Sequence, residues 1–268
     1  RGIPFVHIGP GDVPAFSHPR EFPRAALRAW LQLRQPGDRL LVHEPASGAF
    51  IQQQRRGGAP VYVVSHGLER RGWQLRCAGE WGPADIPSLR TRLLFPLWRL
   101  RGADRGVRHA HHVMVLNQED ATFAHTYYGR TPEAVTVVRH GVEPTTVTAE
   151  DAPSGPFTVL FLGSWLPRKG IGTLIDAATR LAARGTHVRW VLAGTGATAA
   201  DILPQFPDAL RSNVTVIPSF APAHEEQLLR DAHAFVLPSY FEGQPLALLQ
   251  AMATGRCCVT TECCGQRD

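Results

Sequence analysis

Phe157-Thr158-Val159-Leu160-Phe161-Leu162-Gly163-Ser164-Trp165-Leu166-Pro167-Arg168-Lys169-Gly170 is an apolar run that ends in a glycine and a basic turn. A short, nearly unbroken apolar run is a strand buried on both faces. Ile171, Leu174, Ile175, Ala178 and Leu181 then recur at the spacing of one helix face. A strand, a loop and a helix in that order make half of a βαβ unit, so the sheet is expected to be parallel and covered by helices. Arg168 and Lys169 fall at the carboxyl end of that strand and beside a helix N-terminus. There, backbone amides and the helix dipole favour an anion such as a diphosphate. The same pair also suits a solvated basic turn. The Walker A spacing of glycines and its Lys-Ser/Thr pair are absent.

The alternation repeats in both directions. Upstream, the strand expectations are Ile3–Ile8, Leu40–His43, Val61–Ser65, His112–Leu116 and Val135–Val138, with helical stretches at Ala25–Leu33 and Glu119–Tyr127. Downstream, after Phe157–Leu162, they are Val188–Ala193, Val214–Pro218, Ala234–Pro238 and Cys257–Thr260. Residues 143–156, rich in Glu, Pro, Thr and Ser, carry no apolar period and read as a linker. The expected fold is α/β: two doubly wound Rossmann-like domains, 1–142 and 157–268, facing a cleft. The first domain lacks an opening strand–loop–helix unit and the second lacks closing helices, which suggests a fragment trimmed at both ends.

Composition narrows the function classes. The 268 residues are 44% hydrophobic and 19% charged, enough for real cores. No apolar run approaches the ~18–20 residues of a spanning helix. Five cysteines, four of them between Cys257 and Cys264, form no disulfide framework and no Cys-x2-Cys zinc spacing. A reducing, cytoplasmic location is expected. The net charge of +5 comes from scattered basic residues, so nucleic acid is not an expected partner. Of the 28 basic residues, Lys169 is the single lysine. A site that needs a compact ammonium resists replacement by the planar guanidinium.

A second constellation runs Leu237-Pro238-Ser239-Tyr240-Phe241-Glu242-Gly243-Gln244-Pro245-Leu246-Ala247-Leu248-Leu249-Gln250-Ala251-Met252-Ala253. Pro245 suits a first helical turn, with Leu246, Leu249 and Ala253 on the buried face. Glu242 then lies at the mouth of the helix and Gln250 about two turns in, roughly 10–12 Å apart at ~1.5 Å per residue. A sugar diphosphate at the mouth with its nucleoside along the helix spans such a distance. Glu242 also fits a plain helix cap.

Gly-Ser-Trp-x-x-Arg-Lys-Gly followed by Pro-Ser-x-x-Glu-Gly-x5-Leu-x-Ala-Met-Ala-x-Gly resembles the donor domain of retaining glycosyltransferases of family 4, with the GT-B fold. Looser similarity covers Leu41-Val42-His43-Glu44-Pro45, Val63-Val64-Ser65-His66-Gly67, Val115-Leu116-Asn117-Gln118-Glu119-Asp120 and Val138-Arg139-His140-Gly141-Val142. The resemblance implies transfer of a sugar from a nucleotide-diphosphate donor to an acceptor hydroxyl, with anomeric retention and no metal. It places Lys169 and Arg168 on the diphosphate, and Glu242 and His66 near the transferred sugar. Gly163, Ser164, Gly243, Gln244, Leu246 and Gln250 complete the donor site. No cofactor is implied beyond the nucleotide sugar as co-substrate; the acceptor is a glycan, a lipid-linked or a small molecule. Three positions depart from the family: Gln250 stands at the second acid of Glu-x7-Glu, Ser164 replaces a common arginine, and the N-terminal glycine-rich loop is not seen. Gln250 keeps open a non-catalytic nucleotide- or glycan-binding protein.

Other motifs carry weaker readings. Gly194-x-Gly196-x-x-Ala199 mimics a dinucleotide fingerprint, but the strand Asn213–Ser219 ends without the required acid. His109, His111 and His112 lead straight into a strand, which favours structural roles over a metal. Leu89–Arg108 mixes Arg90, Arg92, Arg99, Arg101, Arg105 and Arg108 with Leu93, Leu94, Phe95 and Trp98. That stretch suits either a packed helix with arginines outward or peripheral contact with the inner face of a membrane.

Overall fold

The computed structural model describes residues 21–143 and 153–268. Contacts divide them into two units: the described part of 1–78 with Ile86–Arg139, and Gly79–Asp85 with the described part of 140–268. The expected strand Ile3–Ile8 lies outside the described residues, as does most of the stretch read as a linker.

In the first unit, α1 (Glu21–Leu33) precedes β1 (Leu40–His43), α2 (Glu44–Arg55), β2 (Val61–Val64) and α3 (Glu69–Ala78). A helical span follows as α4 (Leu89–Phe95), a π-helical turn (Pro96–Leu100) and α5 (Arg101–His109). It leads into β3 (His112–Val115), α6 (Gln118–Tyr128) and β4 (Val135–Val137). The four strands are parallel in the order β1-β2-β3-β4. Val61, Val63, Val113 and Val115 share one face of the sheet and are fully buried, whereas on the other face Leu41 is 67% exposed and Tyr62, Val64, His112 and Met114 are half-buried. Asn117 caps α6 by accepting the Asp120 amide at 2.8 Å, and Gly129 ends it at φ 67°.

The second unit holds β5 (Thr158–Leu162), α7 (Ile171–Ala183), β6 (Arg189–Ala193) and the short α8 (Ala199–Ile202). It continues through β7 (Val214–Ile217), α9 (Glu225–Arg230), β8 (Ala234–Leu237), α10 (Leu246–Ala253) and β9 (Cys257–Thr260). All five strands are parallel, ordered β7-β6-β5-β8-β9. Leu160, Phe161, Leu192, Phe235 and Leu237 are inaccessible and anchor a core that α7 joins through Leu174 and Ala178. The chain runs outward from β5 through β6 to β7, then returns to lay β8 on the other side of β5. Such a reversal opens a crevice at the carboxyl ends of the two central strands.

Every strand expected within the described residues is present, with ends differing by a residue or so. The buried face of α10 differs. Leu246 is 46% exposed and Ala253 is exposed, whereas Leu248, Ala251 and the following Thr254 are buried. The cause is register: Pro245 precedes the helix with ψ 113° instead of forming its first turn, and the core takes the Leu248–Ala251 face.

Candidate active site

Because β5 and β8 are adjacent, the loops that leave their carboxyl ends meet. The first loop turns through Pro167–Lys169 in one 3-10 turn and stops at Gly170, which starts α7. Gly170 has φ 73°, and a Cβ there would lie 1.8 Å from the Pro238 carbonyl oxygen. Only glycine meets both demands. The Tyr240 amide donates to the Arg168 carbonyl at 2.8 Å, and the Thr173 and Tyr240 hydroxyls are 2.5 Å apart. The two loops are thereby fixed as one surface.

Lys169 and Glu242 meet on that surface. Lys169 Nζ is 2.6 Å from Glu242 Oε1, and Arg168 Nη1 is 3.4 Å from Oε2 and 3.3 Å from the Phe241 carbonyl. The Glu242 side chain is 8% exposed, Lys169 13% and Arg168 34%. A carboxylate this deep is tolerable because two cations face its two oxygens. A Cβ at Gly163 would approach Lys169 Cε to 3.7 Å and Nζ to 3.8 Å, so the lysine lies along the Gly163 backbone. The pair sits ahead of α10, whose first amides lack intrahelical acceptors as in any helix. Two cations, a helix mouth and a buried carboxylate therefore converge at the crevice.

The rest of the predicted set is placed as follows. Gly243 lies beside Glu242, and its carbonyl accepts the Gly265 amide at 3.0 Å; a Cβ on Gly265 would come within 2.8 Å of Gln244 Cα. The segment Thr261–Gln266 thus braces the loop from behind, with the Cys263 thiol 3.1 Å from the Ser239 carbonyl. Gln244 Oε1 accepts the His140 amide, and Ser164 is exposed. Gln250 lies close enough to the Glu225 carboxylate, at the start of α9, to favour its charged form. Burial raises the Glu225 pKa and Gln250 lowers it, with burial the larger effect. Sequence reasoning missed Glu225, because an acid opening a polar helix carries no spacing signal.

His66 belongs to the first unit, where it follows β2. Its ring stacks on His43 with centroids 5.1 Å apart, and His66 Nε2 lies 3.2 Å from His43 Nδ1. Glu44, the next residue, is buried and accepts the Ser65 hydroxyl at 2.6 Å and the Glu69 amide at 3.1 Å. Desolvation pushes its pKa up to about 8. In the sequence His43 ends an early strand and Glu44 merely follows it; their contacts with His66 and Ser65 depend on the β1–β2 register, which sets His43 opposite Val64.

The competing motifs take structural places. Gly194 and Gly196 donate their amides to the Ile217 and Pro218 carbonyls, and the four-residue α8 that follows is too short for a dinucleotide helix. His112 Nε2 is 2.8 Å from Thr136 Oγ1, and His111 packs on Tyr62. Among the described residues no three metal-ligating side chains gather, and no helix is long and apolar enough to cross a membrane.

Comparison with known proteins fits this geometry. WcaL of Salmonella typhimurium, named as a colanic acid biosynthesis glycosyltransferase, is 32% identical over 142 residues, half of this chain and 35% of the relative. A sucrose-phosphate synthase of Thermosynechococcus elongatus superposes with a TM-score of 0.67 at 20% identity, over 92% of this chain and 61% of that one. S. aureus TarM, crystallised with UDP and α-GlcNAc-glycerol, gives 0.63 at 15% identity, over 90% of this chain and 45% of its own. Such identities establish the fold alone, and that fold is the parallel-sheet α/β fold of GT-B glycosyltransferases. The chain spans 35%, 61% and 45% of the length of these three proteins. Over the second unit the likeness reaches a defined family: residues 156–268 match the model described as Glycosyl transferases group 1.

Proposed function

We propose that the chain carries the donor side of a family 4 glycosyltransferase, which moves a sugar from a nucleotide-diphosphate donor to an acceptor hydroxyl with retention and without a metal. The observation that supports this reading is the meeting of Lys169, Arg168 and Glu242 at the mouth of α10. When the glycosidic C–O bond breaks, negative charge grows on the departing diphosphate. Lys169 and Arg168, already held there as cations, would stabilise it together with the amides of Gly243, Gln244 and Leu246. Gly163 leaves room for the lysine beneath the phosphates, and Ser164 lies at the loop's open side.

Glu242 balances the cations in the free protein. With donor bound, its carboxylate accepts hydroxyls of the transferred sugar while the cations turn to phosphate. The family resemblance assigns His66 to the same sugar, and a departing phosphate oxygen takes the acceptor's proton. Gln250, beside Glu225, addresses the ribose. The acceptor is a glycan or lipid-linked sugar, consistent with the colanic acid naming of WcaL. The nucleotide sugar is co-substrate and no other cofactor takes part. A cytoplasmic location follows from such a donor.

The test is release of nucleoside diphosphate from UDP-, GDP- and ADP-sugars by the chain, with and without acceptor glycans. Release from one donor, lost in Glu242→Gln, supports transfer. Tight nucleotide binding with no release under any acceptor supports the alternative, a non-catalytic nucleotide- or glycan-binding protein, for which Gln250 at the second acidic position is the motive.

A further inference from the structure

The helical span from Leu89 to His109 has two apolar sides, of which one is packed. On the inner side Phe95 stacks on Trp73 with ring centroids 4.3 Å apart, and Leu100, Ala103 and Val107 are fully buried. On the outer side Leu89, Leu93 and Leu97 recur every four residues and are 77%, 72% and 66% exposed. Leu94 beside them is 51% exposed and Trp98 48%. A row of leucines one to two turns apart, all in water, is not how a packed helix ends its stripe. Ser88 caps α4 by accepting the Thr91 amide.

Charge follows the same face. No acidic residue occurs between Asp85 and Asp104, while Arg90, Arg92, Arg99 and Arg101 do. Arg90, Arg92 and Arg101 are exposed. Asp104 is already taken by Arg70, and Glu69 offsets Arg99. The patch is therefore cationic and apolar at once, with the two kinds of side chain interleaved around one helix. A protein-binding patch separates an apolar centre from a polar rim. Interleaved leucine, tryptophan and arginine instead match an interfacial helix, in which leucines enter the acyl boundary and arginines reach the headgroups.

We propose that the outer face of Leu89–Arg101 docks on the surface of an anionic lipid bilayer. This inference does not rest on the donor site. The test is co-sedimentation of the whole chain with vesicles of phosphatidylcholine alone or with roughly one-third phosphatidylglycerol. Wild type is expected to sediment with the anionic vesicles, less as salt rises, and not with the neutral ones. Arg90→Gln with Arg92→Gln removes two surface charges and is expected to cut partitioning about thirtyfold. Leu93→Glu with Leu97→Glu is expected to abolish it while circular dichroism stays unchanged. Three results overturn the proposal: no sedimentation of folded wild type, equal sedimentation of wild type and both variants, or a dimer that the leucine variant dissolves without any vesicle binding.

Discussion

Lys169→Ala tests two consequences of one contact. In the free protein the ammonium lies 2.6 Å from a carboxylate whose side chain is only 8% exposed. Breaking a fully buried pair costs about 3–5 kcal/mol, because the remaining charge is stranded. Arg168 stays 3.4 Å from the other oxygen and is one-third exposed, so part of that penalty is recovered. The expected net loss of stability is about 1–3 kcal/mol. In a Glu242→Gln background the stranded charge is gone and the lysine substitution is expected to cost nearly nothing. Against nucleotide, the variant loses a charge-assisted hydrogen bond to the diphosphate, about 1.5–3 kcal/mol, or ten- to one-hundred-and-fifty-fold in Kd. Lys169→Arg is expected to restore little, since a planar guanidinium does not reproduce the compact ammonium that reaches Glu242 Oε1 at 2.6 Å. Urea unfolding and calorimetric titration with UDP, GDP and ADP give the two numbers. A folded Lys169→Ala protein that binds its nucleotide within twofold of wild type would refute the reasoning about the diphosphate. Unchanged stability would refute the reasoning about the pair.

Three further expectations follow from other contacts. Gly170→Ala meets both φ 73° and a backbone oxygen 1.8 Å from the new Cβ, so it is expected to lose about 2–4 kcal/mol in denaturant unfolding; a loss below 1 kcal/mol counts against the loop contact. Glu44 has a folded pKa of about 8 against 4.5 unfolded, so its protonated form is favoured by folding and stability drains away as pH rises from 4.5 through 8. Glu44→Gln is expected to flatten that slope, by at most about 5 kcal/mol across the window at 1.36 kcal/mol per unit, and parallel curves for the two proteins between pH 5 and pH 8.5 contradict it. Glu225→Ala removes the carboxylate beside Gln250 and is expected to weaken ribonucleotide binding about three- to tenfold while leaving 2′-deoxynucleotides untouched; equal losses for both sugars would remove the ribose role.

The fold was legible because parallel strands are written as apolar runs. Thr158–Leu162 is buried almost throughout, so no solvent face dilutes its pattern, and even Cys257–Thr260 reads correctly although its strand is an outer one. The loops after β5 and β8 were legible for a local reason, since Gly163, Lys169, Gly170 and Glu242 sit within a few residues of strand ends and meet where the strands place them. Properties that depend on how separate elements register were not legible. The face of α10 shifted because Pro245 stays outside the helix, which hydrophobic spacing alone cannot show over eight residues. The stretch Leu89–Arg108 reads as one amphipathic segment, yet the chain divides it into α4, a π-helical turn at Pro96–Leu100 and α5. Glu225 reaches Gln250, and His43 reaches His66, only through the stacking order of helices and strands.

The central claim is a donor diphosphate held between Lys169 and the mouth of α10. A crystal structure of the chain with whichever of UDP, GDP or ADP binds most tightly tests it without need of an acceptor. The account predicts phosphate oxygens within hydrogen-bond distance of Lys169 Nζ and of the amides at Gly243–Leu246, with Glu242 released from the lysine. A nucleotide bound elsewhere, or one whose phosphates leave the Lys169–Glu242 pair closed, would contradict it.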